Sequence, residues 1–242
     1  MEDGYIDIHD HILPGVDDGA QSMEQTLRMF KIAYEEGIRT VIATPHFYTG
    51  SKIPSMAELR DCLIRVTEEL NKVLPQMSLY LGGEIYYSQK CISLLINKQI
   101  PALADSRYLL VEFQVMAEYQ YIKKAVQEIL INGYIPILAH IERYESLVKE
   151  LGQVQELVNM GAYVQINAQS IMGDNGFTYK RITRKLLKNN LVHIIATDSH
   201  NDGEKAPRVK KCAAYLTKKY GEAYTNDLLQ ENQKKIIRNQ YI

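Results

Sequence analysis

The residues best suited to chemistry in this sequence are histidines and carboxylates that recur at regular intervals along the chain. The chain has only six histidines, and five of them end a short apolar run or follow it within three residues. Three carboxylates take corresponding places. Together these eight candidates are His9, His11, His46, Glu84, Glu112, His140, Asp198 and His200. Imidazole and carboxylate without cysteine suit zinc, manganese or iron, and several carboxylates favour harder cations such as manganese.

Two short segments place such residues two positions apart. His9 and His11 lie at the end of a predicted strand, where alternate side chains point to the same side, so both imidazoles can face one metal ion. Asp198 and His200 repeat the spacing near the other end of the chain. An isolated pair of this kind can also be two polar residues at a strand end. The position of the first pair on the first strand of a β/α repeat favours a metal site.

Several of the acidic candidates also have a structural explanation. Asp17 suits a turn or a helix start, whereas Asp18 is a turn residue or else a metal ligand and catalytic carboxylate. Glu84 follows two glycines and can bridge two cations with its two oxygens, or begin a helix. Glu112 interrupts an apolar run and needs a positive partner, because an unpaired buried charge is costly. A metal ion can supply that charge, and so can Arg107 or a lysine.

Arg143 follows His140 by three residues and carries a guanidinium that can bind phosphate oxygens in a bidentate manner. Its closeness to His140 favours this role over that of an ordinary surface arginine. His193 begins the last predicted strand, far from the other candidates, and is interpreted as structural. Three tyrosines follow ligand positions and can stack on an aromatic substrate, or lie there by chance in a chain with 17 tyrosines: Tyr86, Tyr87 and Tyr144.

The elements that must position these residues alternate between short β-rich runs and longer segments of helical period, which is the pattern of βαβ units around a parallel sheet. Apolar stripes predict helices over 22–36 and 56–73. Seven strands are predicted: Tyr5–His9, Thr40–Thr44, Ser78–Gly82, Tyr108–Phe113, Ile135–Ala139, Tyr163–Asn167 and His193–Thr197. Gly37, Gly133 and Gly161 each precede one of these strands, where a helix commonly ends in a left-handed residue.

In a β/α barrel the carboxyl ends of the strands meet at one mouth, which would bring the candidate ligands together. No linker interrupts the repeat, so the sequence predicts a single α/β domain over residues 1–242. The predicted fold is a distorted TIM-like barrel of the (β/α)7 type. A doubly wound open sheet is the alternative.

Composition narrows the function classes. The chain has 28 basic and 29 acidic residues and a net charge of −1, which argues against a dedicated nucleic-acid-binding protein, although a local basic pocket stays possible. Its three cysteines are odd in number and far apart, so neither a disulfide framework nor a zinc finger is expected. The acidic N-terminus lacks the features of a signal peptide, and no apolar run is long enough to cross a bilayer. We therefore expect a cytoplasmic protein without direct membrane insertion.

More than four ligands imply more than one metal ion. Two cations close together can activate a water molecule and hold both the attacking and the leaving oxygen, an arrangement used for phosphoester cleavage. An arginine beside them would offset the charge that develops on the phosphoryl oxygens. Hydrolysis of a phosphate ester is therefore the predicted reaction.

The motifs together resemble the polymerase-and-histidinol-phosphatase (PHP) superfamily and, within it, the bacterial manganese-dependent protein-tyrosine phosphatases of capsule and exopolysaccharide loci. The resemblance covers essentially the whole chain. It rests on the segments at 9–14 and 16–19, Ala43-Thr44-Pro45-His46, 83–86, 110–113, Ala139-His140-Ile141-Glu142-Arg143-Tyr144 and 196–201.

This resemblance implies a β/α barrel that holds three divalent ions, usually manganese with iron or zinc as alternatives. It implies hydrolysis of phosphotyrosine on a partner, an autophosphorylating tyrosine kinase that controls polysaccharide export. Carried over by motif, His9, His11, Glu84 and Asp198 would bind one ion, and Glu84 would bridge to a second bound by Glu112 and His140. Asp18, His46 and His200 would bind the third. Arg143 would bind phosphate, and Lys205 or Arg208 would take the place of an arginine that relatives carry after the final Asp-x-His.

Other functions remain open from the sequence. A histidinol-phosphate phosphatase or another small-molecule phosphomonoesterase of the superfamily would share the metal ligands, because substrate choice depends on the loops. A metal-dependent amidohydrolase also begins with His-x-His, but it typically has a lysine where this chain has Glu112. A regulatory binding module that has lost catalysis is disfavoured, since all eight ligand-type residues are present. The sequence does not determine the oligomeric state.

Overall fold

The strands of the protein are short and all of their pairings are parallel. The computed structural model describes residues 4–48 and 54–242. Its strands are β1 (Tyr5–Asp10), β2 (Ile38–Ala43), β3 (His46–Phe47), β4 (Ser78–Leu81), β5 (Glu84–Tyr86), β6 (Tyr108–Glu112), β7 (Ile135–Leu138), β8 (Tyr163–Asn167) and β9 (Ile194–Ala196). Each of the seven predicted strands is therefore present within two residues of its predicted ends.

Two strands were not predicted as separate elements, β3 and β5, and each continues an earlier strand beyond a bend. Thr44-Pro45 separates β2 from β3, and proline removes the backbone donor that a continuous ladder would use. Gly82 and Gly83 separate β4 from β5. A Cβ on Gly83 would lie 2.6 Å from Phe47 Cε2, so only glycine lets the Phe47 ring pack this closely against the backbone.

The described strands pair in the orders β1-β2-β4 and β3-β5-β6-β7-β8-β9. The two ends of this arrangement also meet, because Asp10 forms a parallel bridge with Ser199. His11 N donates to Ser199 O at 2.9 Å and Asp198 N donates to His9 O at 2.8 Å. The first strand therefore lies beside the segment that follows the last one, and ligands at the two ends of the sequence become neighbours.

Both faces of most strands are buried, as expected for parallel strands covered by helices, whereas β4 is partly exposed along its length. Ile6, Ile8, Ile42, Leu110 and Ile137 belong to one apolar cluster. The residues that alternate with them pack in a larger cluster against the helices. Strands buried on both sides have no solvent-facing polar positions, so the polar residues that do occur near their carboxyl ends need a specific explanation.

The helices follow the strands around this core. They are α1 (Met23–Glu35), α2 (Met56–Val73), α3 (Cys91–Ile96), α4 (Tyr119–Ile131), α5 (Glu145–Lys149), α6 (Leu151–Met160), α7 (Ala168–Met172), α8 (Phe177–Lys188), α9 (Lys210–Tyr220), α10 (Glu222–Asn226) and α11 (Asn232–Ile237). Ser22 and Ser55 cap the two predicted helices α1 and α2. Within the described ranges, no helix has the length and apolar character needed to cross a membrane.

The glycines predicted to end helices adopt the expected conformation. Gly37, Gly133 and Gly161 have φ values of 92°, 82° and 111°, in the left-handed region that favours glycine. All three cysteines are buried and free, as the sequence predicted. The local signals of the sequence therefore placed the helix-to-strand connections correctly.

Candidate metal centre

The carboxyl ends of the strands bring all nine predicted metal ligands into one mouth of the fold. Three groups of side chains present ligand atoms that lie within 4.8 Å of one another. The groups are His9, His11, Glu84 and Asp198; His46, Glu84 and Glu112; and His11, Asp18, His46 and His200. His140 adjoins them, with Nε2 2.8 Å from Glu84 Oε1. Because Glu84, His11 and His46 each belong to two groups, the groups form one continuous cluster.

The side chains of the first group are almost entirely buried. His9 Nε2 lies 3.1 Å from Glu84 Oε2 and 3.4 Å from Asp198 Oδ1, and His11 Nε2 lies 3.3 Å from the same Glu84 oxygen. All four residues are buried. Asp198 has a φ of 54° and His140 a φ of 31°, a backbone conformation that costs a non-glycine residue roughly 1 kcal/mol or more. The fold thus accepts local strain to aim these two side chains at the cluster.

The second group lies on the other side of Glu84. His46 Nδ1 is 3.0 Å from Glu84 Oε2, and His140 Nε2 is 3.5 Å from Glu112 Oε1. The sequence-based assignment gave this group Glu84, Glu112 and His140. The structure brings these three together and adds His46, which the assignment had placed only in the third group.

The third group is the part that opens to solvent. Asp18 Oδ1 lies 3.5 Å from His46 Nε2 and 3.6 Å from His200 Nε2, and the Asp18 side chain is 68% exposed. The predicted residues Asp18, His46 and His200 are therefore neighbours. His11 joins them because its ring stacks on that of His200 with centroids 4.1 Å apart. Of the three groups, this one has the most exposed carboxylate.

The electrostatics of the cluster suit a bound cation. His9 Nε2, His11 Nε2 and Glu84 Oε2 are buried and make no hydrogen bond, and such orphaned atoms are rare unless another partner exists. Burial alone would lower the pKa of His9, but the charges of Glu84 and Asp198 outweigh it and raise this pKa to about 9. Burial and then the charge of Glu84 raise the pKa of Glu112. The carboxylates thus draw positive charge into the site, and divalent cations fit the donor set.

Hydrogen bonds behind the cluster fix which nitrogen of each ring faces it. His11 Nδ1 donates to Asp17 Oδ2 at 2.7 Å, and His200 Nδ1 donates to the backbone oxygen of Asp198 at 3.0 Å. Both rings therefore present Nε2 to the site. Asp17 also accepts from the backbone of Gly19 at 3.0 Å, so it is the turn residue that the sequence favoured and an orienting partner for His11 as well.

Two buried amide side chains on β8 fix the orientation of the His9 ring in a similar way, and the sequence did not predict this role for them. Gln165 Oε1 lies 3.2 Å from His9 Nδ1 and accepts from His140 N at 2.8 Å. Gln165 Nε2 donates to Asn167 Oδ1 at 2.8 Å, and Asn167 Nδ2 donates to Asp198 Oδ2 at 2.8 Å. We call this chain of bonds from His9 to Asp198 the amide relay.

The polarity of the amide relay follows from its last member. A carboxylate only accepts hydrogen bonds, so Asn167 must turn its NH₂ toward Asp198 and its oxygen toward Gln165. Gln165 must then turn its oxygen toward His9, whose Nδ1 has to carry a proton. Nε2 is therefore the nitrogen that faces the cluster, and loss of its proton would give the lone pair that a metal-binding histidine requires. The signal in the sequence was two amides, two residues apart, in an otherwise apolar strand.

Arg143 lies beside the cluster and faces a cavity. Its Nη2 donates to Asp198 Oδ2 at 2.6 Å, and its side chain is 32% exposed. It lines a cavity of about 500 Å³ together with Asn167, Asp198, Lys205 and Arg208. Both alternatives for the second phosphate contact, Lys205 and Arg208, therefore face the same cavity as Arg143. Asp174 and Glu204 also line it, so the cavity carries charges of both signs.

The other candidate residues from the sequence lie away from the cluster or pack within the protein. Arg107 binds Asn239 and Tyr241 at the chain's end, so it is not the partner of Glu112. Tyr87 and Tyr144 are buried and so cannot stack on a substrate. Tyr86 is half-buried, with its ring 5.2 Å from that of Tyr48. His193 packs edge-on against Tyr163, which agrees with the structural role predicted for it.

Comparison with known proteins agrees with this geometry. The family model described as "Capsular polysaccharide synthesis, CpsB/CapC" matches residues 5–238. Tyrosine-protein phosphatase CpsB of Streptococcus pneumoniae is 35% identical over 242 residues, covering 98% of this chain and 100% of the relative. Tyrosine-protein phosphatase YwqE of Bacillus subtilis (strain 168) is 32% identical over 243 residues, covering 98% of this chain and 93% of the relative.

A solved structure agrees as closely. The fold superposes with a TM-score of 0.92 on a chain from the crystal structures of YwqE from Bacillus subtilis and CpsB from Streptococcus pneumoniae. Those proteins are described as unique metal-dependent tyrosine phosphatases. The two chains are 32% identical, and the superposition covers 98% of this chain and 96% of the other.

Proposed function

The chain belongs to the CpsB/CapC family of capsular polysaccharide synthesis proteins, and from this premise we propose that its metal centre hydrolyses phosphotyrosine. It is a metal-dependent tyrosine phosphatase linked to capsule synthesis. The observation that carries the proposal is the position of Arg143, which contacts the ligand Asp198 and faces an open cavity. An arginine beside a metal cluster can bind the phosphate of an ester while the cluster acts on the phosphorus.

We propose that the cluster holds three divalent ions, with manganese as the resident metal and iron or zinc as alternatives. The three groups of ligands, joined through Glu84, His11 and His46, support this number. The mixture of carboxylate and imidazole supports the choice of metal. Bound there, the ions would generate a nucleophile from water at neutral pH and polarise the phosphoryl oxygens.

The chain's own residues would orient the ester and offset its charge. Arg143 uses one N–H on Asp198, and its remaining donors are available to the phosphate oxygens. Asp198 in turn fixes the guanidinium, so that little side-chain freedom is lost when phosphate binds. Lys205 and Arg208 line the same cavity, and one of them would supply a second cationic contact. Asp18 lies at the entrance of the cluster, where the carboxylate can bind metal or take up a proton.

The remaining predictions of the sequence belong to this proposal. We infer that the partner is a tyrosine kinase of the polysaccharide export system, which the family's link to capsule synthesis supports. We infer that β2 with β3, and β4 with β5, count as two single strands of a seven-stranded barrel, which the bridge from Asp10 to Ser199 supports. A single domain over residues 1–242 and a cytoplasmic location stay predictions.

The test compares two substrates under two metal conditions. A phosphotyrosine peptide and histidinol phosphate are incubated with the protein, once with manganese and once with a chelator, and released phosphate is measured. We expect manganese-dependent release that favours the peptide. Equal release with chelator would contradict the metal mechanism, and faster release from histidinol phosphate would contradict the tyrosine specificity.

A further inference from the structure

The two helices that flank the substrate cavity carry the strongest charge asymmetry in the chain. Residues 177–220 contain eleven of the 28 basic residues and three of the 29 acidic ones. This stretch has a net charge of +8, whereas the remainder of the chain has −9. Within the stretch, helices α8 and α9 contain nine lysines and arginines and no aspartate or glutamate. The overall balance of charge therefore conceals a strongly basic region.

The cations of this region point to solvent and have no acidic partners. The side chains of Arg181, Lys185 and Lys188 on α8 are exposed, as are all four lysines of α9. In the described part of the chain, no side-chain nitrogen of the nine lies within 4.0 Å of a carboxylate oxygen. The backbone N–H of Lys210, at the start of α9, does donate to Glu36 Oε2 at 2.7 Å. By contrast, Lys72, Lys123 and Lys149 on other helices do form ion pairs with glutamates. Unpaired cations that are concentrated in one region create a positive potential outside the protein.

Helices α8 and α9 contact each other through their side chains, and each begins shortly after residues that line the cavity. The guanidinium of Arg184 on α8 lies 4.6 Å above the ring of Tyr215 on α9. Asp174 and Asn175 precede α8 and line the cavity, and Lys205 and Arg208 precede α9 and line it as well. The basic surface, defined as the exposed cations of α8 and α9, therefore starts at the rim of the cavity that holds Arg143.

We propose that the basic surface docks an acidic segment of the protein substrate that flanks the phosphotyrosine. The inference rests on the proposed function and deepens it, because it names the chemistry of the polypeptide that the phosphatase prefers. Continuity with the cavity favours a substrate over a membrane or a nucleic acid, since a peptide with its phosphate at Arg143 would have its neighbouring residues beside the first turns of α8 and α9. Docking of this kind raises association rates and the selectivity for one partner.

The experiment uses two peptides of equal length with a non-hydrolysable phosphotyrosine analogue, one flanked by aspartate and glutamate and the other by serine and glycine. Fluorescence anisotropy gives their affinities for the manganese-loaded protein, and the phosphorylated forms give kcat/KM. We expect the acidic peptide to bind about tenfold tighter at low ionic strength. The advantage should nearly vanish at 0.5 M salt, because the Debye length falls from about 10 Å at 0.1 M toward 3 Å at 1 M.

A matched pair of double variants locates the effect. Arg181→Glu/Lys211→Glu should remove most of the preference for the acidic peptide and leave the neutral peptide unchanged. Lys31→Glu/Lys124→Glu alters charge by the same amount at exposed lysines of α1 and α4 and should preserve the preference. An equal loss in both double variants would overturn the proposal, since only overall charge would then matter.

The remaining outcomes of these measurements also test the docking proposal. Equal affinity of the wild-type protein for both peptides would overturn the docking surface. Binding of anionic vesicles, or of an oligonucleotide of matched charge, is measured with the same variants. If Arg181→Glu/Lys211→Glu weakens that binding while the preference for the acidic peptide persists, the docking proposal is also overturned. Tight binding of the acidic analogue without hydrolysis of either phosphopeptide would contradict the proposed function and leave the docking surface supported. The two proposals therefore fail in distinguishable ways.

Discussion

The amide relay predicts a specific phenotype for Gln165→Leu. The substitution removes the oxygen that accepts from His140 N and faces His9 Nδ1, and the nitrogen that donates to Asn167. Gln165 is fully buried, so water does not replace these bonds. A buried donor or acceptor left without a partner costs about 1–3 kcal/mol. Because at least two such groups lose their partner, we expect the free energy of unfolding to fall by about 2–6 kcal/mol.

If Gln165 had only a structural role, the substitution would lower stability and nothing else, whereas the amide relay predicts a second effect. Without Gln165, His9 is free to carry its proton on Nε2, the nitrogen that faces Glu84 and Asp198. Loss of an orienting partner behind a metal-binding histidine typically weakens metal binding by about 10–100-fold. That range corresponds to about 1.4–2.8 kcal/mol. Calorimetric titration of manganese into the metal-free protein measures it directly.

The matched control is Gln233→Leu. Gln233 is also fully buried, and its Nε2 donates to the backbone oxygens of Leu228 at 2.6 Å and Ile195 at 3.5 Å, neither of which is a candidate ligand. Chemical denaturation should show a loss of stability in both variants, while only Gln165→Leu should lose manganese affinity. If the two variants bind manganese equally well, the amide relay does not position His9, and the account of the tautomer is wrong.

Three further predictions address other parts of the molecule. Arg143→Ala should lower kcat/KM for a phosphotyrosine peptide about 100-fold with manganese content unchanged, and loss of manganese would show instead that Arg143 serves to hold Asp198. Glu84→Gln should deplete manganese, measured by elemental analysis, because Glu84 joins two ligand groups, and retention of all the metal would contradict its bridging role. Burial lowers the pKa of His193 from 6.5 to about 4. Below pH 6.5 the unfolded chain therefore binds a proton that the folded chain does not. As a result, the free energy of unfolding decreases as the pH falls toward 4. Wild type should therefore lose about 1 kcal/mol more than His193→Gln between pH 7 and pH 5.5 in denaturant titrations, and equal losses would refute this assignment.

The parts of the fold that were predictable depend on local signals. Tyr163–Asn167 was predicted at its observed bounds because an apolar β-rich run follows Gly161 directly. The glycines that end helices were found for the same reason. The separate strands β3 and β5 were not, since a bend at Thr44-Pro45 or Gly82-Gly83 interrupts a ladder only when the neighbouring strands are in place. Whether a ladder continues is decided by tertiary contacts.

The candidate ligands could be chosen from the sequence because the chemistry requires particular residue types, and the fold brings them together at the strand ends. The grouping of these residues was harder to predict. His11 and His46 each serve two groups, and such sharing depends on distances between strands that no spacing in the sequence encodes. Gln165 was not predicted, because an uncharged amide is not a typical metal ligand. Its role depends on the hydrogen bond between Asn167 and Asp198, and Asp198 lies far from Gln165 in the sequence.

The most direct test of the catalytic centre is to titrate manganese into the metal-free protein and to measure phosphotyrosine-peptide hydrolysis and bound metal in the same samples. The three ligand groups predict no turnover without metal, and turnover that rises with bound manganese until three ions per chain are bound. Turnover in the metal-free protein, or full metal loading without hydrolysis, would contradict the assignment of this cluster as the catalytic centre.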